Sequence, residues 1–202
     1  MNMAYQSLEP SAPSPFSSNA VARTAHRLGK SQRNATAPQN SMFPDAPVQY
    51  RDRPPRFREE SSLGFVGLDC HGRIALMFPA AASAWRRMIA AASRDGCQIL
   101  LVSAYRSVSH QAEIIQRKRA KGLSWDEILK VSAYPGFSEH HTGCAVDLAS
   151  PQCPGLTEDF ERTPEFAWLG QHAAEFGFRL SYPRNNPFGV SFEPWHWMWR
   201  EG

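Results

Sequence analysis

The run Ser138-Glu139-His140-His141-Thr142-Gly143-Cys144-Ala145-Val146-Asp147 restricts this chain more than any other stretch. It sets imidazoles and a carboxylate on either side of a Thr-Gly pair, so the backbone must turn sharply before the apolar segment 144–148, which reads as a strand. Along a strict strand His140 and Asp147 would face opposite sides, because their separation is odd. The turn has to reset that parity if the two are to converge, and Gly143 makes the reset sterically cheap. Near the C-terminus Glu193-Pro194-Trp195-His196 repeats the problem. Its acid and imidazole again differ by an odd step, and Pro194 breaks any strand between them.

Imidazole and carboxylate are ligands that a borderline cation such as Zn²⁺ accepts. Together the two runs offer three ligands and a spare acid, which matches a catalytic zinc with three protein ligands and an open position for water. The spacing, His-x6-Asp and then Glu-x-x-His, is moderately specific by itself. Single histidines are a weaker signal, and His26, His71, His110 and His172 read as core or surface residues.

With these residues in place, the chain resembles a known family. Ser138-x-His140-x-x-Gly143-x-Ala145-x-Asp147, followed by Glu193-Pro194-Trp195-His196, is similar to the paired signature of the zinc D-alanyl-D-alanine carboxypeptidases of the vancomycin-resistance type. Upstream, Tyr105-Arg106-Ser107 with Gln111 resembles that family's substrate segment. Trp168-Leu169, Phe176-Gly177-Phe178 and Tyr182-Pro183 resemble its intervening landmarks. The resemblance runs from about Ser62 to Trp199.

It implies one zinc ion held by His140, Asp147 and His196, with Glu193 as general base and substrate contacts from Arg106, Ser107, Gln111 and Ser138. Two neutral imidazoles and one carboxylate would leave the divalent site at about +1, enough to lower the pKa of a bound water toward ~7. Arg106 can pair with a C-terminal carboxylate or stabilise the oxyanion at the scissile carbonyl. His141 competes with its neighbour as a ligand, although the motif's register favours His140. Ser107 reads alternatively as a helix cap and Gln111 as a solvent-facing helix position.

The implied substrate is a peptidoglycan stem peptide or muropeptide cut at its terminal D-Ala bond, in the cell envelope or periplasm. Related peptidases share the ligand pattern, so an L,D-carboxypeptidase or a peptidoglycan endopeptidase stays open. A non-catalytic wall-binding domain is a further alternative, against which the presence of all the site residues argues. A monomer is expected.

Residues 1–58 differ in character. They hold eight of the sixteen prolines and no sustained apolar period. Such a segment cannot offset its ordering entropy, so disorder is expected there, order near Ser61, and a single peptidase domain over 59–202. The tail carries eight Lys or Arg against three acids, and the remainder fourteen against sixteen, so the net charge of +3 resides in the tail. A nucleic-acid-binding face on the domain is therefore not expected. No apolar run approaches the roughly eighteen residues of a membrane helix. No secretory apolar core is visible either, and the tail's Ser, Ala and Arg content is loosely transit-like. A misassigned start, a non-standard export route or release on lysis would reconcile it with an envelope substrate. Cys70, Cys97, Cys144 and Cys153 form no Cys-x-x-Cys pair, which leaves free thiols or disulfides of undetermined pairing.

The remaining pattern predicts an α+β fold, a small antiparallel sheet carrying the metal site and flanked by helices. Gly64–Leu68 and Ile74–Met77 read as extended segments around a turn. Residues 81–94 form a helix with Trp85, Met88, Ile89 and Ala92 on one face and Gly96 as its stop. Residues 98–103 are a buried strand delivering Arg106 to its end. Residues 109–121 are a helix whose Arg117, Lys118, Arg119 and Lys121 make a solvated basic end. Ser124 and Glu127 form a capping box for a short helix through about Lys130. Residues 151–163 read as loop and 163–177 as a helix capped by Thr163 and opened by Pro164. Residues 190–200 are extended and aromatic, with Trp195, Trp197 and Trp199 sharing a face.

Overall fold

Strands drawn from distant parts of the chain meet in one antiparallel sheet, and that sheet positions the site. The computed structural model describes residues 55–201, so the disorder expected of residues 1–54 lies outside the described residues. Strand β1 (Gly64–Leu68) and strand β2 (Ile74–Met77) pair as a hairpin. The Asp69 carboxylate ties its turn by accepting from the backbone N–H groups of His71 and Arg73. Helix α1 (Pro79–Arg94) starts earlier than its periodicity predicts, because Pro79 pre-organises the first turn. It buries Ala81, Ala84, Trp85, Met88 and Ala92.

Strand β3 (Leu100–Ser103) leads into helix α2 (Val108–Ala120), whose Ser107 cap accepts from the His110 N–H at 3.0 Å. Helix α3 (Trp125–Val131) carries both halves of the Ser124–Glu127 capping box. Strand β4 (Ala145–Ala149) is buried along its whole length. Helix α4 (Pro164–His172), strand β5 (Phe178–Leu180) and strand β6 (His196–Trp199) complete the chain. The larger sheet runs β3-β4-β6-β5, antiparallel throughout. Met77, Met88, Leu148, Phe160, Leu169 and Phe178 fill the core beside it. The fold is α+β, with helices flanking an antiparallel sheet.

Several local expectations change. Within 151–163, Glu158–Arg162 forms a 3₁₀ turn that buries Phe160, and one turn is too short to show a period. The helix expected to reach Gly177 tightens to 3₁₀ over Ala173–Phe176. Strand β5 is too short to alternate, and of residues 190–200 only His196–Trp199 pairs as strand. Order precedes Ser61: the Phe57 N–H donates to Gly136 O and the Glu60 N–H to His141 O, each at 2.8 Å. Those carbonyls belong to distant loops, so composition carried no sign of the contact. All four cysteines are free thiols.

Candidate metal centre

The cleft is built on the register of β4 and β6. Asp147 lies directly opposite His196 on one side and Ser103 on the other. The parity problem of the His140 run is solved by a 3₁₀ turn, Glu139–Thr142, ended by Gly143 in the left-handed conformation at φ 67°. A Cβ at Gly143 would come within 2.8 Å of Leu63 Cδ2 and of the Phe78 backbone nitrogen, so both conformation and space call for glycine. His140 consequently folds back until its Nε2 sits 3.1 Å from Asp147 Oδ2. In the second run the His196 N–H donates to Glu193 O at 3.1 Å, closing a turn that brings Glu193 into the same cleft. His140, Asp147 and His196 are buried and offer ligand atoms that all lie within 4.8 Å of one another.

Each imidazole is oriented by its other nitrogen. His140 Nδ1–H donates to Ala104 O at 2.6 Å, which leaves Nε2 bare toward Asp147. His196 Nε2–H donates to Glu139 Oε2 at 2.9 Å, which leaves Nδ1 facing Asp147 Oδ1 at 3.0 Å. Metal-binding histidines are commonly fixed in this way. His141 is committed elsewhere, since Nδ1–H donates to Arg106 O at 2.7 Å and Nε2 accepts from the Gly136 N–H at 3.1 Å. With both nitrogens engaged by backbone, His141 has no lone pair for an ion.

Charge follows the same plan. Burial alone would raise Asp147, but the two imidazoles hold it far below the carboxylate range. Burial opposes a charge on His196 as well, yet Asp147 and Glu139 raise it to about 10. Glu139 is also low, because bonds from His196 and Ser181 outweigh its burial. Burial keeps His140 neutral. Two ionised carboxylates thus enclose one imidazole, and the centre calls for a positive charge that a proton or a divalent cation can supply. Two oriented imidazoles and one carboxylate suit zinc. Burial, with the neighbouring Asp147 adding to it, raises Glu193 to about 7, against the opposing pull of His196 and Arg106.

Arg106 lies beside this group, with Nη2 3.5 Å from Asp147 Oδ2 and 3.1 Å from Ser103 Oγ. Gln111 is buried rather than solvent-facing: its Oε1 accepts from Arg106 Nη1 at 3.0 Å and its Nε2 donates to Ala133 O at 2.6 Å. Ser138 is buried and lines the cleft, which holds about 350 Å³. Ser107 is spent on capping α2 and is not among the cleft-lining residues. Sequence reasoning passed over Glu139, whose one sign was an acid beside a candidate ligand. Trp195 lines the cleft, whereas Trp197 is buried in the core.

Residues 75–202 match the model of the VanY family, described as D-alanyl-D-alanine carboxypeptidase. The chain belongs to the VanY family. A relative, YodJ of Bacillus subtilis (strain 168), is 36% identical over 121 residues, which is 57% of this chain and 43% of YodJ. The chain therefore spans less than half the length of that relative. Among solved structures, the LdcB LD-carboxypeptidase matches with a TM-score of 0.63 and 31% identity, covering 73% of this chain and 72% of LdcB. A mutant of the vancomycin resistance D,D-pentapeptidase VanY, in complex with Zn(II), matches with a TM-score of 0.54 and 26% identity over 73% of this chain and 82% of that one. Among the described residues of this VanY-family chain, no helix is long and apolar enough to cross a membrane.

Proposed function

We propose that this chain is a zinc-dependent carboxypeptidase hydrolysing the terminal D-Ala bond of peptidoglycan stem peptides in the cell envelope. One zinc ion would be held by His140, Asp147 and His196, with Glu193 as general base. The observation that carries this reading is the convergence of three buried ligand atoms within 4.8 Å in a cleft that also contains a separate acid. When bound, zinc supplies Lewis acidity and a water acidic enough to ionise near neutral pH.

Glu193 would take a proton from the attacking water and return it to the leaving amine, a role suited by a carboxyl that burial raises to about 7. Arg106, held by Gln111 and Ser103, meets the negative charge that develops on the scissile carbonyl. Ser138 contacts the peptide from the cleft wall, and Gln111 acts through Arg106.

The test is metal content and product analysis on one sample. Protein stripped of metal and titrated with zinc should release D-alanine from a defined muropeptide up to one equivalent of zinc. Loss of activity with metal still bound at the centre would place the reaction elsewhere, and an internal cut would make the chain an endopeptidase. L,D-carboxypeptidase activity is the second reading, favoured by the higher TM-score of LdcB. A muropeptide ending in an L,D bond separates the two.

A further inference from the structure

His141 sits beside a candidate ligand without being one, and what it holds is Arg106. Three hydrogen bonds stitch residues 104–106 to residues 140–141: His140 Nδ1–H donates to Ala104 O at 2.6 Å, the Arg106 N–H donates to His140 O at 3.1 Å, and His141 Nδ1–H donates to Arg106 O at 2.7 Å. Both backbone polar groups of Arg106 are thus taken by consecutive residues of the run that carries His140. The run therefore fixes where the Arg106 side chain starts, while Gln111, Ser103 and Asp147 hold the guanidinium at its other end.

His141 is itself held from behind. Its ring is fully buried, and its Nε2 accepts from the Gly136 N–H at 3.1 Å. The segment before β1 closes over this loop, with the Phe57 N–H donating to Gly136 O and the Glu60 N–H to His141 O. From outside, the exposed Glu59 spans the Arg106 loop, accepting from the Tyr105 hydroxyl at 2.9 Å and from the Val108 N–H at 2.7 Å. Of the three stitches, one belongs to the ring of a candidate ligand and one joins backbone to backbone. His141 supplies the one that a substitution can remove while leaving those ligands in place.

We propose that His141 is a positioning residue, setting Arg106 against the scissile carbonyl through the Arg106 backbone. The inference rests on the hydrolase reading above and deepens it, by naming what ties the arginine to the metal centre. A misplacement of about 1 Å in a group that meets developing charge costs turnover on the order of a hundredfold, so the signature belongs in kcat.

The test uses the zinc-loaded full chain and a muropeptide ending in D-Ala-D-Ala. His141→Leu, which keeps bulk and removes both ring nitrogens, should lower kcat roughly tenfold to a hundredfold, with KM and zinc content little changed. His141→Asn returns an N–H donor near the place of Nδ1 and should recover most of that loss. In an Arg106→Met background His141→Leu should cost less than about twofold, because the group it acts through is gone. Glu59→Ala, a change at an exposed residue, should lower kcat about threefold to tenfold with the same dependence on Arg106. Zinc lost in step with activity, a loss confined to KM, an Asn variant no better than Leu, or equal losses with and without Arg106 would overturn the assignment. Amide exchange reads the brace without turnover: the Arg106 N–H should exchange at least about tenfold faster in His141→Leu and return toward the parent rate in His141→Asn. Unchanged exchange would also overturn it. Exchange that responds in this way in a parent protein that releases no D-alanine would defeat the hydrolase reading and leave the brace on Arg106 standing.

Discussion

The floor and the wall of the cleft are built on opposite principles. On the floor, His140, His196, Asp147, Glu139 and Arg106 are buried or nearly so, and their polar atoms are bonded to one another, to fixed backbone or to the side chains of Ser103, Gln111 and Ser181. On the wall, Ile114, Leu129 and Val131 present apolar surface. A floor held in one geometry suits bond-breaking, because its dipoles need no reorganisation when charge develops. A wall with unspent contacts suits reading a substrate, because it gains its partners only on binding.

Changes on the floor should therefore strike turnover and changes on the wall affinity. The largest effect expected is from Glu193→Gln, about 10²–10⁴-fold in kcat with zinc content unchanged by metal analysis. Full activity in that variant would remove Glu193 as the base. Arg106→Met should cost about 10²–10³-fold, chiefly in kcat; a loss confined to KM would move Arg106 to the wall's role. Glu139→Gln should weaken zinc binding about 10–100-fold in competition with a chelator, through looser orientation of His196. Unchanged zinc affinity would reduce Glu139 to a packing residue. Val131→Ser on the wall should alter stability by no more than about 0.5 kcal/mol and leave kcat intact.

Acidity offers a further way to sharpen the contrast. Glu193 is raised from 4.5 to about 7 by burial, so the base form declines as pH falls through that range. The acidic limb of kcat/KM should lie at or below about pH 7, since a bound cation favours the carboxylate, and no wall variant should move it. In metal-free protein the folded state holds this proton up to about 7 while the unfolded chain releases it near 4.5. This group therefore lowers stability as pH rises across that window. A melting series on Glu193→Gln should lose that component.

Much of the scaffold was legible because its signals are local. The Thr163 and Ser124 caps, Pro164 at a helix start, and the apolar stripe of α1 each act within a few residues. The run from His140 to Asp147 announced a metal-type cluster in the same way. What stayed hidden depends on pairing at a distance: strand β5, the buried turn at Phe160, and the docking of Phe57 and Glu60. The buried place of Gln111 against Arg106 stayed hidden too, because α2 has no strong apolar stripe to mark its inner face.

The chain by itself determined which residues were available for chemistry, where the backbone had to turn, and that the odd separations of His140 from Asp147 and of Glu193 from His196 needed breaks. Tertiary structure decided which nitrogen of each imidazole points inward, and that His141 is spent on backbone while Glu139 steadies His196. The reason is physical: backbone preference is set by adjacent residues, whereas a tautomer or a charge is set by whatever the fold brings within hydrogen-bonding distance.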